Sequence, residues 1–421
     1  MPKASENLKK KGVLVEILDP GKKEIKDESF NEFRLLVETL SFEIVAETSQ
    51  TLRDVNYAYF IGKGKVEELK EIVKLAEADY VFIDSQLRYL QLRNLSKEIG
   101  VPCFDRPHLI LMIFAMRAKT GEGKLQVELS ELRMKLPEIV HDDINLDQQT
   151  ASLIGLKGPG ERKTELKKRY IEKRIQILEE KLDSIKKQRE ARRKRRLRSN
   201  IPIVAIAGYT NSGKSTLMNR LTDAGAYVEN RLFATLDTLV RVGNVVGDYK
   251  VIFIDTIGFI RDLPHTLIYA FHSTLEEILD AWVAIILVDA SDQDFNEKFN
   301  TVKETIKELG GENITQLIVF NKIDKISSEK LDTLKLQYKN ALFISALSGR
   351  GIDELKASIR SILEKSFVQI KLFIPMSNIN LIPEIFACAR VISKDDQSDG
   401  VLLKVEGFSE NINKYSRFIV K

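Results

Sequence analysis

The chain has 421 residues, 43% hydrophobic and 30% charged, with a net charge of +4 and two cysteines. This composition excludes a disordered chain and a small disulfide scaffold, and the length predicts about three domains. Cys103 and Cys388 lie too far apart for a cysteine zinc motif, so we expect a reducing compartment, the cytoplasm. The longest apolar run, 281–288, is well short of the roughly 20 residues that span a bilayer. From this short run we expect no integral membrane segment. The basic N-terminus lacks the apolar stretch of a secretory signal, so we expect none there.

Residues 1–122 are predicted to form an N-terminal α/β domain. Short β-rich runs alternate with amphipathic helical stretches, which is typical of a small parallel sheet. A Gly-Lys-Gly-Lys run at 62–65 follows one predicted strand and begins a helix, where N–H groups can hold an anion. We interpret it as an ordinary strand-to-helix turn. The predicted strands are 13–18, 57–61 and 80–84, and the predicted helices are 30–40, 66–78 and 87–99.

Residues 123–198 are predicted to form a long antiparallel helical hairpin. Two sets of apolar residues each repeat with spacings of 4, 3, 4 and 3, which is the seam that joins paired helices. Between them, residues 141–160 are predicted to be a glycine-rich tip, because three glycines and a proline at 155–160 cannot continue a helix. The seam residues are Leu125, Leu129, Leu132, Leu136 and Ile139, then Ile171, Ile175, Leu178, Leu182 and Ile185.

The second half of this hairpin carries most of the positive charge. Residues 161–198 contain 17 Lys/Arg and seven Asp/Glu, so the rest of the chain is net acidic. Such an asymmetry suggests one basic element that serves an anionic partner. A solvated helix face is the alternative, but the run at 192–196 contains no acidic residue.

Residues 201–365 are predicted to form a second, doubly wound α/β domain with a mainly parallel sheet. Its strand-like runs alternate with helical stretches, so helices are expected on both faces. The tail, 366–421, has two or three strand-like runs and little helix, and is predicted to be a small α+β domain. The predicted strands of the second domain are 203–207, 251–255, 284–289, 317–321 and 341–345.

A phosphate-binding loop follows the first of these strands. Gly208-Tyr209-Thr210-Asn211-Ser212-Gly213-Lys214-Ser215 matches the pattern whose backbone N–H groups surround a β-phosphate. Lys214 is predicted to bind the β- and γ-oxygens, and the Ser215 hydroxyl to ligate Mg²⁺. After a later strand, Asp255-Thr256-Ile257-Gly258 is predicted to hold the metal through water and to offer the Gly258 N–H to the γ-phosphate.

Two further motifs predict a guanine nucleotide. In Asn321-Lys322-Ile323-Asp324, the Asp324 carboxylate can accept two hydrogen bonds from the guanine edge, which adenine does not present. Ser345-Ala346-Leu347 ends the next strand, where its backbone can meet the base carbonyl. Since each motif lies at the carboxyl end of a predicted parallel strand, where ligands bind in open α/β sheets, we predict a GTPase domain.

Five stretches outside the general GTPase motifs are typical of one family: the runs at 59–69, 123–129 and 155–161, Phe233-Ala234-Thr235-Leu236-Asp237, and the run at 255–265. With these stretches, the chain resembles the HflX family of translational GTPases over essentially its whole length. The resemblance implies binding to the large ribosomal subunit and its RNA, and the splitting or rescue of stalled ribosomes, with the hairpin probing the catalytic centre of the subunit. It also implies that Thr235 ligates Mg²⁺ and closes over the γ-phosphate.

The site predicted from these motifs and from the resemblance has three catalytic members, Lys214, Thr235 and Gly258, and two metal ligands, Ser215 and Thr235. GTP is the expected substrate, Mg²⁺ the cofactor, and the protein is expected to be a monomer. Phe259 stands where many GTPases have a water-orienting glutamine, so intrinsic hydrolysis is expected to be slow. The histidines show no metal-ligand spacing.

Two other functions fit parts of the sequence. An ATP-driven RNA remodeller would place a second nucleotide in the N-terminal domain, which has no phosphate loop ending in Gly-Lys-Ser/Thr. A GTPase regulator lying peripherally on a membrane would dock its basic helix on anionic lipid. The apolar residues of that helix form a heptad seam, which leaves little apolar surface for a bilayer.

Overall fold

The computed structural model describes most of the chain. The described residues are 10–18, 26–52, 54–150, 159–198, 201–222, 239–244, 250–256, 258–261, 276–365, 367–408 and 412–420. They belong to two compact units, one formed mainly by residues up to Asp183 and one formed mainly by residues from Ser184 onward. Within the described parts of the chain, no helix combines the length and the apolar character needed to cross a membrane.

The first unit contains a four-stranded parallel sheet in the order β2-β1-β3-β4, as expected for an α/β domain. Its strands are β1 (Lys11–Leu18), β2 (Glu43–Thr51), β3 (Tyr80–Ile83) and β4 (Cys103–Asp105), and its helices are α1 (Lys26–Thr39), α2 (Lys63–Ala76), α3 (Tyr89–Ile99) and α4 (Arg106–Arg117).

The predicted strand at 57–61 is wrong. These residues belong to a tight turn closed by reciprocal backbone hydrogen bonds between Asn56 and Phe60. The Asn56 side-chain oxygen accepts from the N–H groups of Ala58 and Tyr59, and this local turn outweighs the strand preference of the aromatic residues. The strand lies earlier in the chain, at β2, whose burial is only partial because it forms the edge of the sheet.

Two long helices follow, α5 (Gly121–Thr150) and α6 (Pro159–Arg198). Placing residues 141–150 in the tip was wrong, because α5 continues through Pro137 to Thr150. The heptad seam stays a prediction, and the burial of its described side chains agrees with it. Leu129 and Leu178 are buried, and the other described seam residues are half-buried.

Interhelical ion pairs and chain length fix the direction of the two helices. Arg133 pairs with Glu179 at 2.7 Å and Arg174 with Glu128 at 2.7 Å. If the helices were parallel, these pairs would place the start of α6 about 55 Å from the end of α5. Residues 151–158 can span only about 32 Å. The helices are therefore antiparallel.

The second unit contains the predicted doubly wound domain, with sheet order β10-β9-β8-β5-β7-β6. All neighbours are parallel except β6 and β7. The prediction missed β6, an edge strand with mostly exposed side chains, and β10 is shorter than expected. The strands are β5 (Ile203–Gly208), β6 (Leu239–Asn244), β7 (Lys250–Asp255), β8 (Val283–Asp289), β9 (Thr315–Asn321) and β10 (Leu342–Phe343), and the described helices are α7 (Lys214–Thr222), α8 (Phe295–Glu308), α9 (Ser328–Gln337) and α10 (Ile352–Lys365).

The last part of the chain forms a four-stranded antiparallel sheet in the order β12-β13-β11-β14, in agreement with the predicted α+β domain. Leu372, Ile374, Leu403 and Val405 form the centre of its core. The strands are β11 (Phe367–Pro375), β12 (Arg390–Gln397), β13 (Gly400–Phe408) and β14 (Ile419–Val420), and the α-helix among the described residues is α11 (Ile382–Cys388).

Candidate functional site

The phosphate-binding loop leaves the carboxyl end of β5, the fully buried strand between β7 and β8. Residues 208–213 connect β5 to α7, so the loop N–H groups and the positive end of the helix dipole lie together. The backbone reverses through left-handed conformations at Asn211 and at Gly213, which has a φ of 95° that favours glycine. This local structure is the one that the motif predicts.

Lys214 lies at the centre of the loop with 7% of its surface exposed. Its Nζ donates hydrogen bonds to the carbonyl oxygens of Gly208, at 3.1 Å, and Tyr209, at 2.8 Å. Burial lowers the pKa of Lys214 to about 8, while Asp255 acts in the opposite direction and Lys322 lowers the pKa further. The amine is thus bonded to carbonyl groups of the loop itself. A neighbouring anion would stabilise its charged form and raise its pKa again.

This pKa predicts how nucleotide affinity depends on pH. Between pH 8 and the higher pKa expected beside phosphates, binding of GDP must take up a proton. We therefore expect the affinity for GDP to be constant below pH 7.5 and to fall, by up to about tenfold per unit, as the pH rises above 8. Equilibrium titration with a fluorescent GDP analogue from pH 7 to 9 measures this change.

The matched control for this titration is Lys214→Arg, because arginine keeps its charge throughout the range. Titration of the guanine ring is common to both proteins and cancels in the comparison. A pH dependence that is identical in wild type and in Lys214→Arg would show that the Lys214 amine is not the group that titrates.

Two oxygen side chains lie beside the loop. Ser215 Oγ donates to Asp255 Oδ2 at 3.0 Å, and Asp255 is fully buried at the end of β7. Thr256, also fully buried, donates its hydroxyl to the Ile206 carbonyl at 2.9 Å, which joins this residue to β5. A hydroxyl and a carboxylate are the hard oxygen donors that suit Mg²⁺, so the residues present fit that cofactor.

Gly258 lies directly against the loop. A Cβ atom at this position would be 2.9 Å from Lys214 Nζ and 2.8 Å from Thr210 Cγ2, so no larger residue fits without displacement. The next residue, Phe259, accepts a hydrogen bond from the Thr210 N–H at 2.7 Å and donates its own N–H to the Gly208 carbonyl at 3.2 Å. Gly258 therefore lies next to the Lys214 amine, so a group bound to that amine would also lie close to Gly258.

Asn321 joins three of the predicted motifs. It is 2% exposed, and its Nδ2 donates to the Ser212 carbonyl at 2.8 Å while its Oδ1 accepts from the Ala346 N–H at 2.9 Å. A single amide thus holds the phosphate-binding loop and the 345–347 segment at one edge of the sheet. The side chain of Asp324 is exposed on a short 3-10 turn that follows β9.

The 345–347 segment is held by its neighbours. Ser345 is fully buried and its Oγ accepts from the Ser348 N–H at 3.1 Å. Arg220, on α7, donates to the carbonyls of Ala346 and Leu347 at 3.3 and 2.5 Å. Sequence reasoning missed Arg220, because a side chain that binds backbone carbonyls has no motif signal.

The remaining predicted site residues lie partly outside the described structure. The segment Phe233, Ala234, Thr235, Leu236 and Asp237, and also Ile257, are outside the described residues. Lys322 is present with a left-handed φ of 63°, and its Nζ pairs with Asp289 at 2.7 Å. Ile323 is buried in the 3-10 turn beside it. The described motifs therefore converge on one edge of the sheet.

Known proteins resemble the chain over nearly all its length. Family models match as GTP-binding GTPase N-terminal (27–115), GTP-binding GTPase middle region (117–196), 50S ribosome-binding GTPase (203–322) and HflX C-terminal domain (331–415).

GTPase HflX of Caldanaerobacter subterraneus subsp. tengcongensis is 38% identical over 415 residues, 98% of this chain and 94% of that protein. GTPase HflX of Escherichia coli is 37% identical over 365 residues, 86% of this chain and 85% of that protein. A GTP-binding protein from Sulfolobus solfataricus, solved with GDP, is 24% identical with a TM-score of 0.45, covering 85% of this chain and 99% of that one.

Proposed function

Because the chain belongs to the HflX family of GTPases, we propose that it binds the large ribosomal subunit and uses GTP to split or rescue stalled ribosomes. It is a GTP-hydrolysing enzyme of a ribosome-associated family. We further propose that it acts in the cytoplasm as a monomer. The observation that carries the nucleotide part of the proposal is the meeting of the Asn321, Lys214 and Gly258 segments at one edge of the sheet.

We assign the phosphates to the loop. The N–H groups of 208–215 and the start of α7 surround the β-phosphate, and Lys214 reaches the β- and γ-oxygens. Ser215 and Thr235 would hold Mg²⁺, with Asp255 acting through water. When bound, the ion would neutralise charge on the phosphate oxygens. Gly258 would donate its N–H to the γ-phosphate, in keeping with its position against Lys214.

We assign the base to the other side of the site. Asp324 would accept from guanine, and the 345–347 backbone, held by Asn321 and Arg220, would meet the base carbonyl. Adenine would leave these groups unpaired, so GTP is preferred over ATP. The side chain of Asp324 is exposed, so its carboxylate is accessible to an incoming guanine base.

The chemistry is expected to depend on the partner. Phe259 is 5% exposed and has no hydrogen-bonding side chain, so it cannot orient the attacking water. Intrinsic hydrolysis should therefore be slow. Because phosphoryl transfer depends on positioning and charge stabilisation, a ribosome that orders the segments around Thr235 and Gly258 would accelerate it.

We assign ribosome binding to the helical hairpin. Its second helix carries the excess of positive charge and would be about 60 Å long, which suits contact with several ribosomal RNA phosphates. Ion pairs such as Arg169 with Glu165, at 2.6 Å, neutralise part of the helix, whereas the run at 192–196 contains no acidic residue.

Sedimentation tests this partner against the membrane alternative. The protein is pelleted with large ribosomal subunits or with anionic phospholipid vesicles, in the presence of a non-hydrolysable GTP analogue. We expect pelleting with subunits, and a decline with salt of roughly 0.9 in the log–log slope for each RNA phosphate contacted. Pelleting with vesicles but not with subunits would contradict the proposed function.

A further inference from the structure

The segment that follows the Asp-x-x-Gly motif is fixed to the phosphate-binding loop by its backbone. Phe259 exchanges backbone hydrogen bonds with Gly208 and Thr210, forming a short parallel bridge. Phe259 and Ile260 are 5% and 3% exposed, so the segment is packed into the domain. This bridge places Gly258 against the Lys214 amine.

The side chain of Tyr209 adds a further link to this segment. Tyr209 is 6% exposed, and its hydroxyl accepts a hydrogen bond from the backbone N–H of Arg261 at 2.6 Å. The Lys298 ammonium lies 5.5 Å from the centre of the Tyr209 ring and pairs with Asp292 at 2.5 Å. Tyr209 thus belongs to the loop through its backbone and holds the end of the neighbouring segment through its hydroxyl.

The Arg261 side chain anchors the same point to α8. Its guanidinium pairs with Asp294 at 3.1 Å and with Glu297 at 2.8 Å, at the start of that helix. The Arg261 side chain is 13% exposed, so these ion pairs are less screened than surface pairs. The segment is therefore held at Phe259 by the bridge and at Arg261 by Tyr209 and α8.

We propose that Tyr209 is a positioning residue for GTP hydrolysis, whose hydroxyl holds the backbone of residues 258–261 in register with the phosphate-binding loop. This inference rests on the proposed nucleotide site and adds a function to one of its loop residues. Because Phe259 supplies no polar side chain, the placement of the Gly258 N–H relies on the backbone path alone. The Tyr209 hydroxyl fixes that path three residues beyond Gly258.

The test is Tyr209→Phe, which removes the hydroxyl and keeps the buried ring. Single-turnover GTP hydrolysis by the full chain, without ribosomes, is compared with the GDP dissociation constant and the melting temperature. We expect kcat to fall about fivefold, the factor for one net hydrogen bond. GDP affinity should stay within about twofold, because GDP has no γ-phosphate for Gly258 to contact. An unchanged kcat, or an equal loss of GDP affinity, would overturn the inference.

Tyr338→Phe is the matched control. The Tyr338 hydroxyl also makes a hydrogen bond, to Asn296 Oδ1 of α8 at 2.7 Å, but this bond is exposed and involves none of residues 258–261. This variant should hydrolyse GTP at the wild-type rate. If Tyr338→Phe slows hydrolysis as much as Tyr209→Phe does, the effect belongs to α8 in general and the inference is wrong.

Arg261→Ala and Lys214→Ala complete the set. Arg261→Ala retains the backbone N–H that Tyr209 holds, but removes the anchor to α8, so it should also lower kcat with little change in GDP affinity. If Lys214→Ala hydrolyses GTP normally, the proposed nucleotide site is itself wrong and the inference falls with it. If Lys214→Ala is inactive while Tyr209→Phe is unimpaired, only the inference is overturned.

Discussion

We expect Lys214→Ala to abolish GTP hydrolysis, both by the isolated protein and in the presence of ribosomes. The Lys214 amine is buried within the loop and bonded to two loop carbonyls, so no exposed lysine can take its place. Removing a preorganised charge from a buried site typically costs about 10²–10³ in rate, and here the loop carbonyls also lose their donor. Release of labelled phosphate over several hours measures the residual rate.

The control for this variant is Lys307→Ala. The Lys307 side chain lies in the same domain, is 73% exposed and pairs only at the surface with Glu312. The Lys307→Ala variant should hydrolyse GTP at the wild-type rate. Thermal melting of Lys214→Ala verifies that the loop variant is folded. Residual hydrolysis within about tenfold of wild type by folded Lys214→Ala would contradict the assigned role.

We expect that replacing residues 151–158 with a glycine-serine linker of equal length will abolish the proposed ribosome splitting and leave GTP binding intact. In the chain, the replaced residues connect Thr150, where α5 ends, to Pro159, where α6 begins. The equal length preserves the spacing of the helices, and α5 keeps its helical residues up to Thr150. The removed run includes Leu156, an apolar side chain that can wedge against RNA bases, and glycines that let the backbone approach RNA closely.

Light scattering of intact ribosomes measures splitting by this variant, and a fluorescent GDP analogue measures nucleotide binding. A second variant, in which all of 141–160 is replaced by a short loop, also shortens α5 and should fail for the same reason. Normal splitting by the equal-length variant would mean that the hairpin end only scaffolds the protein. Loss of GTP binding would mean that the replacement damages the fold.

The central strands of the GTPase sheet could be predicted from sequence because parallel strands buried on both faces are continuous apolar runs. Strands β5, β7, β8 and β9 all follow this rule, and the described motif residues lie where those strands end. The edge strands β2 and β6 escaped prediction, since their half-exposed side chains include polar residues that leave no such run.

The contacts that join the motifs could be predicted only in part. Converging strand ends brought Asn321 and the phosphate-binding loop together, but no pattern indicated that its amide would bind Ser212 and Ala346. The bond from the Arg261 N–H to the Tyr209 hydroxyl joins residues 52 positions apart and involves a backbone donor that every non-proline residue has. Such a contact depends on the folded path of the chain.

The proposed ribosome-linked GTPase function is tested most directly by one ratio. It compares initial rates of GTP hydrolysis with and without large ribosomal subunits, at saturating GTP and Mg²⁺. The Phe259 side chain cannot orient the attacking water, so we predict slow hydrolysis by the isolated protein and an increase of more than about tenfold with subunits. Lys214→Ala should give no signal in either condition. Rapid hydrolysis by the isolated protein that large subunits leave unchanged would contradict the account.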